Sequence, residues 1–334
     1  MVVYCNEQLE NTVGFDFPDR PAPPLRIGIS ECLRGTRVRY DGASAEASWP
    51  KERLKNLFDL VGICPEVAVG MTVPRKAIRL MGSTQSPRAV EIENTQNDKT
   101  ADLRRFAQSE ASFVKQFSGY IFMKNSPSCG VHRVKVFPLD GTAPIRDGQG
   151  VFSSELKAQL PNMPMEDSGR LFDDILRENF VTRCFAYAHW NLVLPNLSPK
   201  ILIEFHSRYK YLLMAHNYSA YKRAGILLSN LSSDFLVKAR TYISLLMETL
   251  AAPATRRGHT NVMLHLQGYL KQKISQKNRQ DLAYLIHQYR RGEQPLQVPI
   301  TMLKHHFADH PDEYISKQAY LDPHPAFAGL RRSL

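Results

Sequence analysis

Five short runs in the N-terminal part of the chain set the strongest limit on its fold: LRIGIS (25–30), LVGIC (60–64), RAVEIE (88–93), GYIFMK (119–124) and RVKVF (133–137). Each is rich in branched or aromatic residues and too short for a helix, which is the pattern of buried strands. Between them, WPKERLKNLFDL (49–60) and KTADLRRFAQSEASFVKQFS (99–118) carry apolar residues at helical spacing. Strands alternating with helices imply βαβ units around a mainly parallel sheet, so residues 25–160 read as an α/β, Rossmann-like domain. Residues 1–24 form an N-terminal extension.

The stretch KAQLPNMPMEDSG (157–169) then breaks every periodicity with two prolines and a glycine, and residues 161–169 read as a linker. From 170 to 334 the texture is all-α. GRLFDDILRENFVTRCFAYAHW, SPKILIEFHSRYKYLLMAH, SDFLVKARTYISLLMETL and NRQDLAYLIHQYRRG repeat apolar residues at three- and four-residue spacing between Pro, Gly, Asn and Ser breaks.

No apolar run reaches the 18 residues a membrane span needs, and the first 20 residues carry acids where a signal peptide carries bases. A soluble cytoplasmic protein without a membrane partner is expected. Five cysteines are an odd, sparse set for a disulfide scaffold, which favours metal or catalytic use in a reducing compartment. The net charge of +11 is uneven: residues 1–165 hold 21 Lys+Arg against 18 Asp+Glu, and residues 166–334 hold 22 against 14. Polyanions would be drawn to the helical half. There Arg208, Lys210, Arg256, Arg257, Lys271 and Lys273, interleaved with Tyr209, Tyr211 and Tyr269, are the candidate RNA-binding residues. His189, His259 and His265 read better as satisfied core polars than as ligands.

Cys32, Cys64 and Cys129 each fall just after a strand-like run. In a parallel sheet such positions share the edge where ligands bind, so the three thiols can converge despite their separation in sequence. Soft thiolates suit an iron–sulfur cluster or zinc. His132, in CGVH, would complete a closed Cys₃His zinc site as an alternative. Glu66 and Ser126 place a carboxylate and a hydroxyl beside this centre. Arg34, Arg37, Arg39 and Arg75 add positive charge, free for an anion or paired with Asp41 or Glu91. Cys5 and Cys184 are incidental thiols.

The segments ISECLRGTRVRYDG, ICPEVAVGMTVPR and KNSPSCG resemble the TudS thiouracil desulfurase family over roughly residues 25–160. ENFVTRCFAY, FHSRYKYLLMAH, RRGHTNVMLHLQGYLK, PLQVPITMLKHH and QAYLDPHP are similar to the helical domain of its two-domain bacterial branch, RudS, which acts on 4-thiouridine in tRNA. The resemblance implies a [4Fe-4S] cluster on Cys32, Cys64 and Cys129 with one iron lacking a protein ligand. It also implies catalytic roles for Glu66 and Ser126, and hydrolysis of thiouridine in tRNA to uridine and sulfide. Glu31 before Cys32, ASAEAS after YDG, and PRKAIRL after the second motif depart from the family pattern and bear on substrate contacts. Two other functions fit the same residues: desulfidation of free thiouracil or thiouridine nucleotides alone, and noncatalytic RNA binding.

Overall fold

The structure is a computed structural model and describes residues 17–325. Cys5 and most of the expected N-terminal extension lie outside the described residues. Among the described residues eight strands form two four-stranded sheets: β1 (Leu25–Ser30), β2 (Phe58–Ile63), β3 (Ile78–Gly82), β4 (Pro87–Glu91), β5 (Tyr120–Phe122), β6 (Val134–Phe137), β7 (Ile145–Gly148) and β8 (Met165–Asp167). The first sheet runs β2-β1-β5-β8 with every neighbour parallel, and β1 meets β2 in the register Leu25↔Phe58 to Ser30↔Ile63. The second runs β4-β3-β6-β7 and is parallel only between β3 and β6. The helices of this half are α1 (Pro65–Ala68), α2 (Thr100–Val114) and α3 (Val151–Gln159).

All five strand-like runs are strands, but they are shared between two sheets. RAVEIE pairs antiparallel with β3, a strand the periodicity did not show. Two local expectations are overturned. Residues 49–60 are not a helix: a single 3₁₀ turn (Lys51–Arg53) gives way to β2 at Phe58. Trp49, Leu54, Leu57 and Phe58 are all buried, and the Trp49 indole N–H donates to the Leu33 carbonyl, so helical spacing here serves a folded-back turn and a strand. Residues 161–169 are not a linker either. Met165, Glu166 and Asp167 are buried and pair with Tyr120, Ile121 and Phe122 as the edge strand of the parallel sheet.

Close packing fixes some sequence choices in the parallel sheet. A Cβ on Gly28 would lie 2.3 Å from the Tyr120 ring, which itself stacks on Phe122 at 4.1 Å between centroids. Only glycine lets β1 run flat against that aromatic pair.

The helical half contains α4 (Asp174–Val193), α5 (Pro199–His216), α6 (Tyr218–Leu228), α7 (Phe235–Ala251), α8 (Arg256–Gly268), α9 (Gln276–Arg291), α10 (Gln297–Asp309) and α11 (Glu313–Ser316). Most starts are capped as their sequences suggest: the side chains of Asp173, Ser198, Asn217, Thr255 and Ser275 accept backbone N–H bonds from the first turns of α4, α5, α6, α8 and α9. Helix α4 is buried on nearly every side, as expected of a helix with apolar residues all round. Phe180, Val181, Cys184 and Phe185 pack on Leu25, Ile27 and Ile29 of β1, while Tyr187 and Trp190 join Phe205 and Tyr242 in the core of the helical half. The Cys184 sulfur fills the space a Cβ on Gly119 would need, at 2.7 Å, so this thiol is a packing element.

His189, also on α4, is fully buried. Its Nε2–H donates to the Pro18 carbonyl (3.1 Å), which leaves Nδ1 to accept from the Tyr209 hydroxyl (3.0 Å). Burial pushes its pKa down to about 4. An unfolded chain therefore binds this proton first as pH falls, and folding stability drops from about pH 6.5 downwards. Between pH 7 and pH 4.5 this one site should remove about 2 kcal/mol. Urea midpoints at the two pH values should lie closer together in His189→Gln than in the unaltered chain; an unchanged gap would remove the assignment.

Candidate functional site

Because β1, β2 and β5 are parallel neighbours, their C-terminal ends open on one side. Cys32 sits in the 3₁₀ turn Glu31–Arg34 after β1, Cys64 directly follows β2 as N-cap of α1, and Cys129 lies in the turn after β5. All three line a single cavity of about 650 Å³, together with Glu66, Ser126, Arg39, Arg75, Lys124 and Lys135. The convergence read from strand ends is thus present.

Each thiol is pushed towards its neutral form. Burial raises Cys129 well above the ordinary thiol range, and Glu66, Cys64 and Cys32 raise it further. Burial, then the charge of Cys64, pushes Cys32 up to about 11. Cys64 is raised mainly by burial, against the pull of the Val67 and Glu66 backbone N–H groups at the start of α1. As thiolates the three cysteines would repel one another and Glu66, with Arg39 and Arg75 as the counter-charges on the cavity wall. Raised pKa values mean little thiolate below pH 9, so iodoacetamide should modify metal-free Cys32 slowly at pH 7.5 and about tenfold faster for each pH unit upward. Rapid, pH-independent labelling would contradict this.

Among the described residues, no three His, Cys, Asp or Glu side chains are grouped to hold one metal ion. His132 is not on the cavity wall: its Nε2 lies 3.3 Å from Glu166. The Cys₃His zinc site is therefore overturned. A four-iron cluster takes each thiolate on a different iron, so its ligands need not meet at a point, and three thiols around one cavity fit such a group.

Glu66 is mostly buried and firmly held. Its Oε2 accepts from Arg75 Nη2 (2.6 Å) and Nε (2.8 Å), and its Oε1 accepts from the Ser128 hydroxyl (2.8 Å). A carboxylate has about four acceptor positions, so the two bonds at Oε2 fill that oxygen and Oε1 keeps one lone pair. Arg75 thus pairs with neither Asp41 nor Glu91; Arg39 takes Asp41 (3.4 Å) and Arg34 takes Glu31 (3.2 Å).

Ser126 lines the cavity but does not reach Glu66. Its Oγ accepts from the backbone N–H groups of Cys129 (3.1 Å) and Ser128 (3.3 Å), which closes the turn around the thiol. Ser128, which spacing did not single out, is the serine on Glu66. The edge strand β8 completes the support: Asp167 accepts Val131 N–H and His132 N–H, both at 2.9 Å, immediately after the Cys129–Gly130 pair. Lys124 and Lys135 also line the cavity, and no motif in the sequence marks them.

The six candidate RNA contacts divide. Arg208 is buried, lies over the Phe17 ring (4.2 Å) and pairs with Glu204 (3.3 Å), so it is a core residue and not an RNA contact. Lys210 lies over Tyr314 (4.7 Å) and Tyr211 (5.1 Å), and Lys273 pairs with Asp312 (3.3 Å). Arg256 is exposed but donates to the Tyr289 carbonyl (3.0 Å). Arg257 and Lys271 are exposed. Tyr209 and Tyr211 are buried, and only Tyr269 of the three tyrosines reaches solvent. His189 and His259 are core polars as expected, whereas His265 is exposed. No helix among the described residues is long and apolar enough to cross a membrane.

Fold and site define an α/β domain with a cysteine-lined cavity, continued by a helical region. Residues 27–168 match the 2-thiouracil desulfurase family, and residues 210–325 match a family described as a protein of unknown function, DUF1722. The chain belongs to the 2-thiouracil desulfurase family and carries the DUF1722 region after it. It is 39% identical over 137 residues to the uncharacterized protein YbgA of Escherichia coli (strain K12), spanning 40% of this chain and 79% of that protein. It is 30% identical over 113 residues to the uncharacterized protein YbbK of Bacillus subtilis (strain 168), spanning 31% and 72%. Among solved structures, the [4Fe-4S]-dependent thiouracil desulfidase TudS is similar at 23% identity and a TM-score of 0.34, covering 44% of this chain and 93% of that one.

Proposed function

We propose that the chain is an iron–sulfur-dependent desulfidase that converts 4-thiouridine in tRNA to uridine and releases sulfide. The observation that carries this reading is the meeting of Cys32, Cys64, Cys129 and Glu66 in one cavity at the C-terminal edge of the parallel sheet. Cys32, Cys64 and Cys129 would hold a [4Fe-4S] cluster. With these three as its protein ligands, the cluster would supply a soft Lewis acid for a thiocarbonyl sulfur.

The chain's own groups supply the rest. Glu66, fixed through Oε2 by Arg75, takes a proton from water at the remaining lone pair of Oε1. The water oxygen bonds to the thiolated ring carbon, the carbon–sulfur bond breaks, and sulfur leaves as hydrosulfide; one water is consumed and no electrons are required. The Ser128 hydroxyl orients the carboxylate, and Ser126 holds the Cys129 turn. A cavity of about 650 Å³ has room for one nucleotide, so the thiolated base would leave its stack to enter. The same room would admit a free thiolated nucleotide, which is the second reading.

The test is anaerobic reconstitution with iron and sulfide followed by incubation with 4-thiouridine-bearing tRNA. Sulfide should appear in step with loss of the thiobase absorbance. Turnover of thiolated nucleotides with none on tRNA would establish the second reading, and a reconstituted but inactive chain would overturn both.

A further inference from the structure

A groove of about 440 Å³ opens between the C-terminal end of α5 and the helices α8 and α9, away from the cysteines. Its walls include Arg257, Arg290, Asn261, Thr255 and Tyr218, and none of its lining residues is acidic. Arg257 and Arg290 are exposed, and neither forms an ion pair among the described residues, so both guanidinium groups are open to an anion. Tyr218 at the groove is 49% exposed, with the Lys222 ammonium 5.0 Å from its ring.

The helix packing that makes the groove is specific. A Cβ on Gly258 would fall 1.9 Å from the Ala215 carbonyl oxygen, so this glycine lets the first turn of α8 press against the end of α5 and carries Arg257 to the groove wall beside Tyr218. Two uncompensated guanidinium groups fit phosphate oxygens, which they can bind in bidentate fashion. An exposed tyrosine beside them fits the face of an unstacked base. A small anion would use the arginines alone; the tyrosine adds a reason to expect a nucleotide.

We infer that this groove is the RNA-docking site of the helical half, with Arg257 and Arg290 on backbone phosphates and Tyr218 stacked on a base of a single-stranded or looped segment. The inference rests on the tRNA reading of the function above and adds to it the face that holds the RNA.

The experiment uses the full, cluster-loaded chain and measures tRNA affinity across a salt series, alongside desulfidation of a small thiolated nucleoside. The double variant Arg257→Ala/Arg290→Ala should bind tRNA at least about tenfold more weakly, with the slope of log affinity against log salt reduced by roughly 1.5 for two lost single-strand contacts. Its rate on the nucleoside should be unchanged. Tyr218→Ala should weaken binding about tenfold with no change in salt slope, and Tyr218→Phe should restore it, because the ring and not the hydroxyl stacks. Variants that bind tRNA as well as the unaltered chain would overturn the groove and leave the tRNA reading standing. An unaltered chain that turns over the nucleoside but binds no tRNA would overturn both.

Discussion

If Glu66 is the general base proposed above, Glu66→Gln should leave a cluster-loaded but nearly inactive protein. Glutamine keeps the size and shape of the side chain, and its amide oxygen can still accept from Arg75. The other end of the amide then offers N–H where Oε1 had a lone pair, and no proton can be taken from water there. Loss of a positioned general base typically lowers a rate by about 10²- to 10⁴-fold. Turnover of a thiolated nucleoside should fall in that range while iron content and the visible spectrum stay the same. Ser128→Ala, which only frees Oε1 to reorient, should cost far less, about tenfold. A Glu66→Gln chain retaining a third or more of the rate would remove the carboxylate from the mechanism.

Changing any one of Cys32, Cys64 or Cys129 to serine should remove the cluster itself. A hydroxyl is a much poorer ligand for iron than a thiolate, and with three protein ligands there is no spare. Iron per chain should fall from about four to below one after anaerobic reconstitution, and activity should vanish with it. Cys184→Ala is the internal control, since that sulfur packs against Gly119 under α4 and not in the cavity. Equal iron loss in Cys184→Ala, or none in the other three, would reassign the ligands.

The ligand edge was legible because each cysteine follows its strand closely in sequence, and a parallel sheet turns that local fact into a spatial one. Cys32, Cys64 and Cys129 could be placed together without knowing any loop in detail. The partners of Glu66 were not legible. Arg75 lies nine positions from Glu66 and Ser128 sixty-two, and nothing periodic links them. Ser126 drew attention because it precedes Cys129 in a turn, yet a serine three residues before a backbone N–H is also the usual geometry of a turn cap, and that is the bond it makes. Strand β8 hid for a different reason: three residues between prolines and a glycine are too few to show alternation, and its strand character comes entirely from pairing with β5. Arg208 misled because cationic residues beside tyrosines look alike whether they face water or a core ring; the contact with Phe17 decides it, and no local pattern contains that contact.

The burial of α4 on two sides also constrains how the chain can be made. The family matches end at residue 168 and resume at 210, so α4 lies in neither, although its Phe180, Val181 and Phe185 form part of the floor under β1. During synthesis the parallel sheet therefore stays open on that face until α4, which starts seven residues after β8 ends, has emerged from the ribosome. Nascent chains halted just past β8 would present Ile27 and Ile29 to chaperones, and those extended beyond α4 would not. The segment between two separately recognisable families thus closes the core of the first.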